Sequence, residues 1–410
     1  MVNISWRNIP DIDKYISHSD IFGISVMDHT YALARRLIKR LQDKTIILGG
    51  CTASAIPDYI LKKNPGVDYV ILNEGEERLV KLLKSFREPE LFDSIDGIAY
   101  RNKNNEIIIR PPEKFVPMDD LPIPGNLVIS NDVVFVELAR GCYGRCRYCK
   151  EISKMRFKSA INVAREIQHW YTKGYKVVYL GGANSIANGP LLLDLVNELE
   201  KRKLPIELCP VGRPEDILRN HDVLTSLFQS QIIRVIAIEI GIEANSQRML
   251  DLLGRGTTPE LNDKAMTSLQ ELRAEYSPDT RILANMILFS HFDMTIEDFI
   301  ANVEFIGKYQ CSRDVLSLKL CGYAKTPIWD DMLAKGFKSD ELLALQIREY
   351  PFTDTTVNQL VNKLVHEPQQ HLQQAIQFPG TFFRLQQKIH DTLIDFYNSG
   401  DIRKAVMDFL

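Results

Sequence analysis

From residue 133 onward the chain alternates short apolar strands with helix-length amphipathic stretches, and this rhythm restricts the fold more than any other feature. Strand-forming runs fall at 133–138, 176–180, 205–209, 234–242, 281–289 and 315–321. Helical spacing fills 159–173, 190–202, 214–229, 246–253, 259–275 and 295–309. Strands joined by helix-length connections pair in parallel, which makes this an α/β region. Six βα units fall short of the eight that close a TIM barrel, so the pattern predicts a partial (β/α)6 TIM-like barrel. Reactive groups on such a sheet gather at the C-terminal ends of its strands.

The same alternation appears earlier on a smaller scale. Strands are predicted at Ile21–Val26, Thr45–Gly49 and Val67–Leu72, with a helix over Tyr31–Leu41. Residues 97–110 read as a hairpin with a polar turn at Asn102–Asn105. The stretch Pro111–Pro124 is rich in proline and acidic residues, as linkers are. The expected division is therefore an α/β domain over 1–110, a linker over 111–130, the barrel over 131–330 and a helical region over 331–410. The Gln369–Gln374 run in that last region suits a solvated helix.

Composition narrows the function classes. A net charge of -3 gives no general pull toward nucleic acid or anionic membrane. No apolar run reaches the ~18 residues of a membrane span, and the first residues lack a signal-peptide layout. Seven cysteines without a disulfide-like framework suggest a reducing cytoplasmic setting and metal binding.

Three of those cysteines carry the chemistry. Cys142, Cys146 and Cys149 lie in Ala139-Arg140-Gly141-Cys142-Tyr143-Gly144-Arg145-Cys146-Arg147-Tyr148-Cys149-Lys150, directly after the first barrel strand. A Cys-x3-Cys-x2-Cys loop can direct three thiolates to three irons of a cubane cluster and leave the fourth iron open. The competing reading is half a zinc site, but such sites close with a fourth Cys or His at similarly short spacing. The nearest downstream histidine is His169.

This spacing is the signature of the radical SAM enzymes, and the chain resembles that superfamily. The resemblance implies a [4Fe-4S] cluster on Cys142, Cys146 and Cys149 whose open iron chelates S-adenosyl-L-methionine. One electron then cleaves it to methionine and a 5′-deoxyadenosyl radical. Over residues 20–330 the layout is similar to members with an N-terminal Rossmann-like cobalamin-binding domain. Ile47-Leu48-Gly49-Gly50-Cys51 resembles their Gly-Gly turn, and Asn73-Glu74-Gly75-Glu76 their Gly-Glu-Gly-Glu-like turn. Gly241-Ile242-Glu243-Ala244-Asn245-Ser246 resembles a Gly-Ile-Glu-Ser-x-Ser pattern, which implies that Glu243 binds SAM; capping the next helix is its other reading. Gly181 and Gly182 stand where the family allows close backbone approach to the methionine moiety. The acidic residue usually after them is replaced by Ala183-Asn184. After the fifth strand, Phe289-Ser290-His291-Phe292-Asp293 replaces a glycine- and proline-rich turn. His291 and Asp293 are therefore expected near the active face, as substrate or proton contacts or as solvated loop residues.

The N-terminal domain departs further. Ser25-Val26-Met27 resembles the family's Ser-x-Leu turn, but only 24 residues precede it and no Asp-x-His-x-x-Gly loop supplies a lower His ligand. This predicts a truncated domain missing its first βα unit, with cobalamin unlikely as a cofactor. Of the remaining cysteines, Cys51 and Cys311 are expected as small buried hydrophobes. Cys209 and Cys321 end the third and sixth strands and are candidate hydrogen donors, Cys321 foremost. With Cys321 in that role, the chain resembles radical SAM peptide epimerases of proteusin-type ribosomal peptides. The expected function is then L-to-D conversion in a precursor peptide: hydrogen abstraction at Cα, then return from Cys321. The expected partners are that peptide and a one-electron reductant such as flavodoxin or ferredoxin. The alternatives are a cobalamin-dependent radical SAM methyltransferase and a non-catalytic iron–sulfur binding protein.

Overall fold

The computed structural model describes residues 12–125, 132–151, 154–311, 316–367 and 380–410, which leaves the Gln369–Gln374 run outside the described residues. The chain divides into two units: Met1–Leu121 with Gly322–Arg348, and Pro122–Cys321 with Glu349–Leu410.

The first unit is built on a five-stranded sheet in the order β1 (Ile21–Ser25), β2 (Thr45–Gly49), β3 (Tyr69–Ile71), β4 (Ile98–Arg101), β5 (Ile107–Arg110). The first three strands are parallel, pairing Ile21 with Thr45 and Ile47 with Tyr69. The last two form the predicted hairpin and run antiparallel. Strand β2 buries Ile46, Ile47 and Leu48, as a strand covered on both faces must. Helix Tyr31–Arg40 turns Tyr31, Ala34, Leu37 and Ile38 inward at helical spacing. The expected single C-terminal helical region is instead divided. Ala324 and Ala344 join the core of this unit with Trp329 and Leu345 packed on it, and Trp329 Nε1 donates to the Leu345 carbonyl at 2.7 Å.

The second unit is the partial barrel. Its strands β6 (Val133–Glu137), β9 (Val177–Gly181), β10 (Ile206–Gly212), β12 (Ala237–Glu243), β13 (Arg281–Phe289) and β14 (Leu316–Lys319) lie side by side in chain order, all parallel. Strands β6 and β14 form the two ends of that series. The expected fourth strand is two pieces. β11 (Ile233–Val235) pairs with the first half of β10, and β12 pairs with its last residues after the break at Ile236. The expected helix over 214–229 is likewise two, Pro214–Arg219 and His221–Gln229, because Asn220 leaves the helical path and donates to the Ile186 carbonyl.

Period-two alternation sets the barrel's two faces. Val134, Val136, Val178 and Leu180 are buried, while Val133, Phe135, Glu137, Val177 and Tyr179 are partly exposed on the interior side. Ser159, Asn188, Thr258 and Thr295 cap the helices that follow the strands. Helix Gly380–Asn398 packs on helix Ile296–Tyr309, where the Tyr397 ring fills the space a side chain at Gly307 would take.

Candidate active site

The cysteine loop leaves the C-terminal end of β6 and is tied shut by a two-stranded ribbon. β7 (Ala139–Arg140) pairs antiparallel with β8 (Arg156–Phe157), and the Lys158 amide returns to the Leu138 carbonyl at 2.9 Å. Below the ribbon, Lys158 Nζ meets Glu166 Oε2 at 2.7 Å, with side chains only 6% and 1% exposed. This buried pair joins the loop's exit to helix Ala160–Thr172.

Inside the loop the sulfurs sit among hydrogen-bond donors. The amides of Gly144 and Glu151 donate to Cys142 Sγ and Cys149 Sγ, each at 3.3 Å. Arg213 and Arg255 each place Nη1 3.5 Å from Cys146 Sγ. Burial pushes the Cys149 thiol up, the Glu151 amide pulls it down, and neighbouring Cys146 and Cys142 push it up again. Three sulfurs in one loop, each facing N–H donors, fit a group that binds them as thiolates. Among the described residues, no three His, Cys, Asp or Glu side chains are arranged to hold a single metal ion. A cubane cluster asks instead for three thiolates on three separate irons.

The two tyrosines between the cysteines fasten the loop to the barrel. Tyr143 Oη donates to Asp216 Oδ2 at 2.6 Å, and the same carboxylate accepts from Asn184 and Arg219. Asn184 thus ties the turn after β9 to helix Pro214–Arg219. Burial raises the Tyr143 hydroxyl, and Asp216 and Glu215 raise it further. Tyr148 approaches Glu243, the last residue of β12. Glu243 has φ +71°, a left-handed backbone unusual for glutamate, and follows a register shift in the β12–β13 pairing. Burial raises its carboxyl, while Arg255 and Tyr148 act to lower it.

Gly181 and Gly182 have reasons within the fold itself. A Cβ on Gly181 would lie 2.0 Å from the Phe135 ring, and one on Gly182, at φ +122°, would lie 2.6 Å from the Ala139 carbonyl. The second glycine thus lets β9 end close against the start of the cysteine loop.

The barrel interior holds a polar group that the sequence did not announce. Glu239 Oε2 accepts from Tyr179 Oη at 2.8 Å and Oε1 from Asn285 Nδ2 at 2.5 Å, while Tyr179 stacks on Phe135. Cys209 stands in mid-strand rather than at a strand end, since β10 continues to Gly212. Burial and then Glu239 push its thiol up to about 11.

Cys321 lies two residues beyond β14 and is half-buried. Beside it, Lys319 Nζ sits 4.1 Å from the Tyr350 ring centroid, and Tyr350 Oη donates to the Leu320 carbonyl at 2.6 Å. Other expectations are corrected. His291 is only 2% exposed, and its Nδ1 accepts the Asp293 amide at 3.0 Å. Asp293 accepts from Thr353 through its side chain and from Arg248 through its carbonyl. Both residues thus brace their own turn. Cys311 is buried as expected, but Cys51 is exposed at the start of helix Cys51–Ala55. Sequence reading also missed Arg213, Arg255 and Asp216; the only local signals were their places just after a barrel strand or between two glycines.

In the first unit, the ends of the parallel strands are open. Met27 is 50% exposed, and Cys51 and Asn73 are exposed beside it in sequence order after β1, β2 and β3. Gly50, at φ +93°, packs so closely that a Cβ would meet the Val26 carbonyl oxygen at 2.6 Å. A crevice at the carboxyl ends of parallel strands is where α/β sheets take large ligands.

Comparison with known proteins agrees with both halves. Residues 2–83 match the B12 binding domain, and residues 136–305 match the radical SAM superfamily. An uncharacterized methyltransferase of Pyrococcus horikoshii is 23% identical, over 98% of this chain and 86% of its own length. An anaerobic magnesium-protoporphyrin IX monomethyl ester cyclase of Synechocystis is 23% identical over 57% of this chain. The match spans about half (49%) of that cyclase. The solved structure of the cobalamin-dependent S-adenosylmethionine radical enzyme OxsB, with aqua-cobalamin and S-adenosylmethionine bound, superposes with a TM-score of 0.72. It is 16% identical and covers 94% of this chain and 65% of its own, a likeness of fold. The expectation that cobalamin is unlikely is overturned by the B12 binding domain match. Met27, Cys51 and Asn73 leave the carboxyl ends of β1, β2 and β3 exposed although no Asp-x-His-x-x-Gly loop is present. No described helix is long and apolar enough to cross a membrane. The chain thus carries a radical SAM domain over residues 136–305 and a B12 binding domain over residues 2–83.

Proposed function

We propose that the chain is a cobalamin-dependent radical SAM methyltransferase acting on a substrate held against the barrel interior. The observation that carries this reading is the presence, in one chain, of the donor-ringed cysteine loop after β6 and the B12 binding domain match over 2–83. The methyltransferase relative that matches nearly the full chain supports it. Cys142, Cys146 and Cys149 hold the cluster, and Glu243 with the turn at Gly181 and Gly182 lines the SAM site. When bound, the cluster with SAM supplies a carbon-centred radical and cobalamin supplies a transferable methyl group. The chain's own residues position and shield. Tyr179 and Asn285 hold the Glu239 carboxylate in place, where it accepts hydrogen bonds from a polar substrate group. The stacked Phe135 and Tyr179 rings cover the interior wall beside it.

A second reading is favoured by Cys321, half-buried two residues beyond the end of β14. It is epimerisation of a precursor peptide, with Cys321 returning hydrogen to Cα. Product analysis separates the two in anaerobically reconstituted protein supplied with cobalamin, SAM and a flavodoxin or ferredoxin reductant. Methyl transfer yields S-adenosylhomocysteine and is insensitive to Cys321→Ala. Formation of 5′-deoxyadenosine without S-adenosylhomocysteine would count against the methyltransferase reading. One deuterium gained at Cα in deuterated water, lost in Cys321→Ala, would establish the second.

A further inference from the structure

Cys146 is set apart from its two companions by what surrounds its sulfur. Cys142 and Cys149 accept from neutral backbone amides of their own loop, whereas Cys146 accepts from two guanidinium groups brought by distant segments. Arg213 follows β10, and Arg255 follows helix Gln247–Leu252. They are 6% and 5% exposed.

Each guanidinium is fixed independently of the sulfur. Arg213 donates through Nε to Glu215 and through Nη2 to the Arg255 carbonyl at 2.5 Å, and its plane lies over the Tyr143 ring at 5.4 Å. Arg255 donates through Nη2 to the Gly241 carbonyl and has Glu243 as its main electrostatic partner. Glu215 and Glu243 balance the two charges. For Arg213 the carboxylate bonds Nε, while Nη1 is turned to the sulfur. Both arginines therefore present a cationic N–H directly to Cys146.

We propose that Arg213 and Arg255 are positioning residues that set the cluster's reduction potential through Cys146. Cationic donors on a thiolate favour the form that carries the extra electron, so they raise the potential. The proposal rests on reading Cys146 as a cluster ligand.

The test is a potentiometric titration of the anaerobically reconstituted full chain, followed by EPR of the reduced cluster, with iron and sulfide content measured alongside. Arg213→Gln and Arg255→Gln are each expected to lower the reduced-to-oxidised ratio at a fixed potential by roughly tenfold, about 59 mV for one electron. Arg213→Lys and Arg255→Lys, which keep the charge, are expected to recover part of the shift. Unchanged midpoints in fully loaded variants overturn the proposal and leave the ligand reading intact. Full iron loading and an unaltered EPR signal in Cys146→Ala would overturn the ligand reading itself. A measurement on the unmutated protein covers variants that fail to load. Protein grown with 15N-arginine is expected to show weak 15N hyperfine coupling to the reduced cluster, and its absence overturns the proposal.

Discussion

The buried Lys158–Glu166 pair gives a sharp test of how the cysteine loop is anchored. Lys158 follows β8 directly, and Glu166 lies in the middle of the next helix, so the 2.7 Å contact joins two elements that otherwise meet at a turn. Glu166 Oε1 accepts no hydrogen bond among the described residues, so the pair is only partly satisfied. Removing one partner strands a charge in a site about as dry as the core. Lys158→Ala or Glu166→Ala should each cost about 3–5 kcal/mol. At about 2–4 °C per kcal/mol for a unit of this size, that lowers the barrel's thermal transition by about 6–20 °C. Replacing both, Lys158→Met with Glu166→Leu, should leave stability about unchanged or raise it by about 1–4 kcal/mol, since two charges no longer leave water. The assay is thermal unfolding followed by fluorescence of Trp170, which is buried in the same helix, in a Trp6→Phe, Trp329→Phe background. Single variants melting with the parent, or a double variant falling as far as the singles, would refute the reasoning.

Three further outcomes follow from the described contacts. Burial acts to raise the Asp298 carboxyl, but hydrogen bonds from Ser246, Thr295 and Arg248 together hold it below its ordinary value. Its stabilisation is full above the unfolded value of about 3.9 and is lost as pH falls through the folded value. The stability gap between the protein and Asp298→Asn, measured by urea unfolding from pH 6 to 2.5, should therefore close with acidification; a constant gap contradicts this. Gly50→Ala forces a Cβ to 2.6 Å from the Val26 carbonyl at φ +93°. It should destabilise the first unit by about 1–3 kcal/mol by Trp329 fluorescence, whereas Gly49→Ala, with its nearest neighbour at 4.0 Å, should be milder. Cys51 is exposed, while the thiols of Cys209 and Cys311 are raised to about 11 and about 12 by burial above all. Iodoacetamide at pH 8 should label Cys51 long before those two in peptide mapping, and equal labelling would be the wrong outcome.

The six barrel strands were legible because a buried parallel strand is a short apolar run and the intervening helices carry a 3.6-residue period. The cysteine loop was legible because its ligand types and spacing are local. What escaped depends on partners distant in sequence. Nothing in Ile236 signals that one apolar run pairs with β10 in two registers. Arg213 and Arg255 read as ordinary charged loop residues until the fold brings both to one sulfur. His291 reads as a substrate or proton contact or as a solvated loop residue, but it is buried and its Nδ1 accepts the Asp293 amide within its own turn. The count of residues before Ser25 pointed to a missing βα unit and so against cobalamin, yet residues 2–83 match the B12 binding domain.

The passage of the chain out of the barrel at Gly322 and back at Glu349 bears on how this protein is made and how it can be rearranged. A ribosome that has released residues 1–121 has not yet supplied Ala324, Ala344 or Trp329, which complete the core of the first unit. That unit reaches its final packing only after the sixth barrel strand has been synthesised, so N-terminal-first maturation of domains does not apply in its simple form. For the same reason a cut at the linker yields no transplantable module. Exchange of the B12-binding unit between relatives requires both pieces to move together, and a truncation ending before Arg348 removes part of both units.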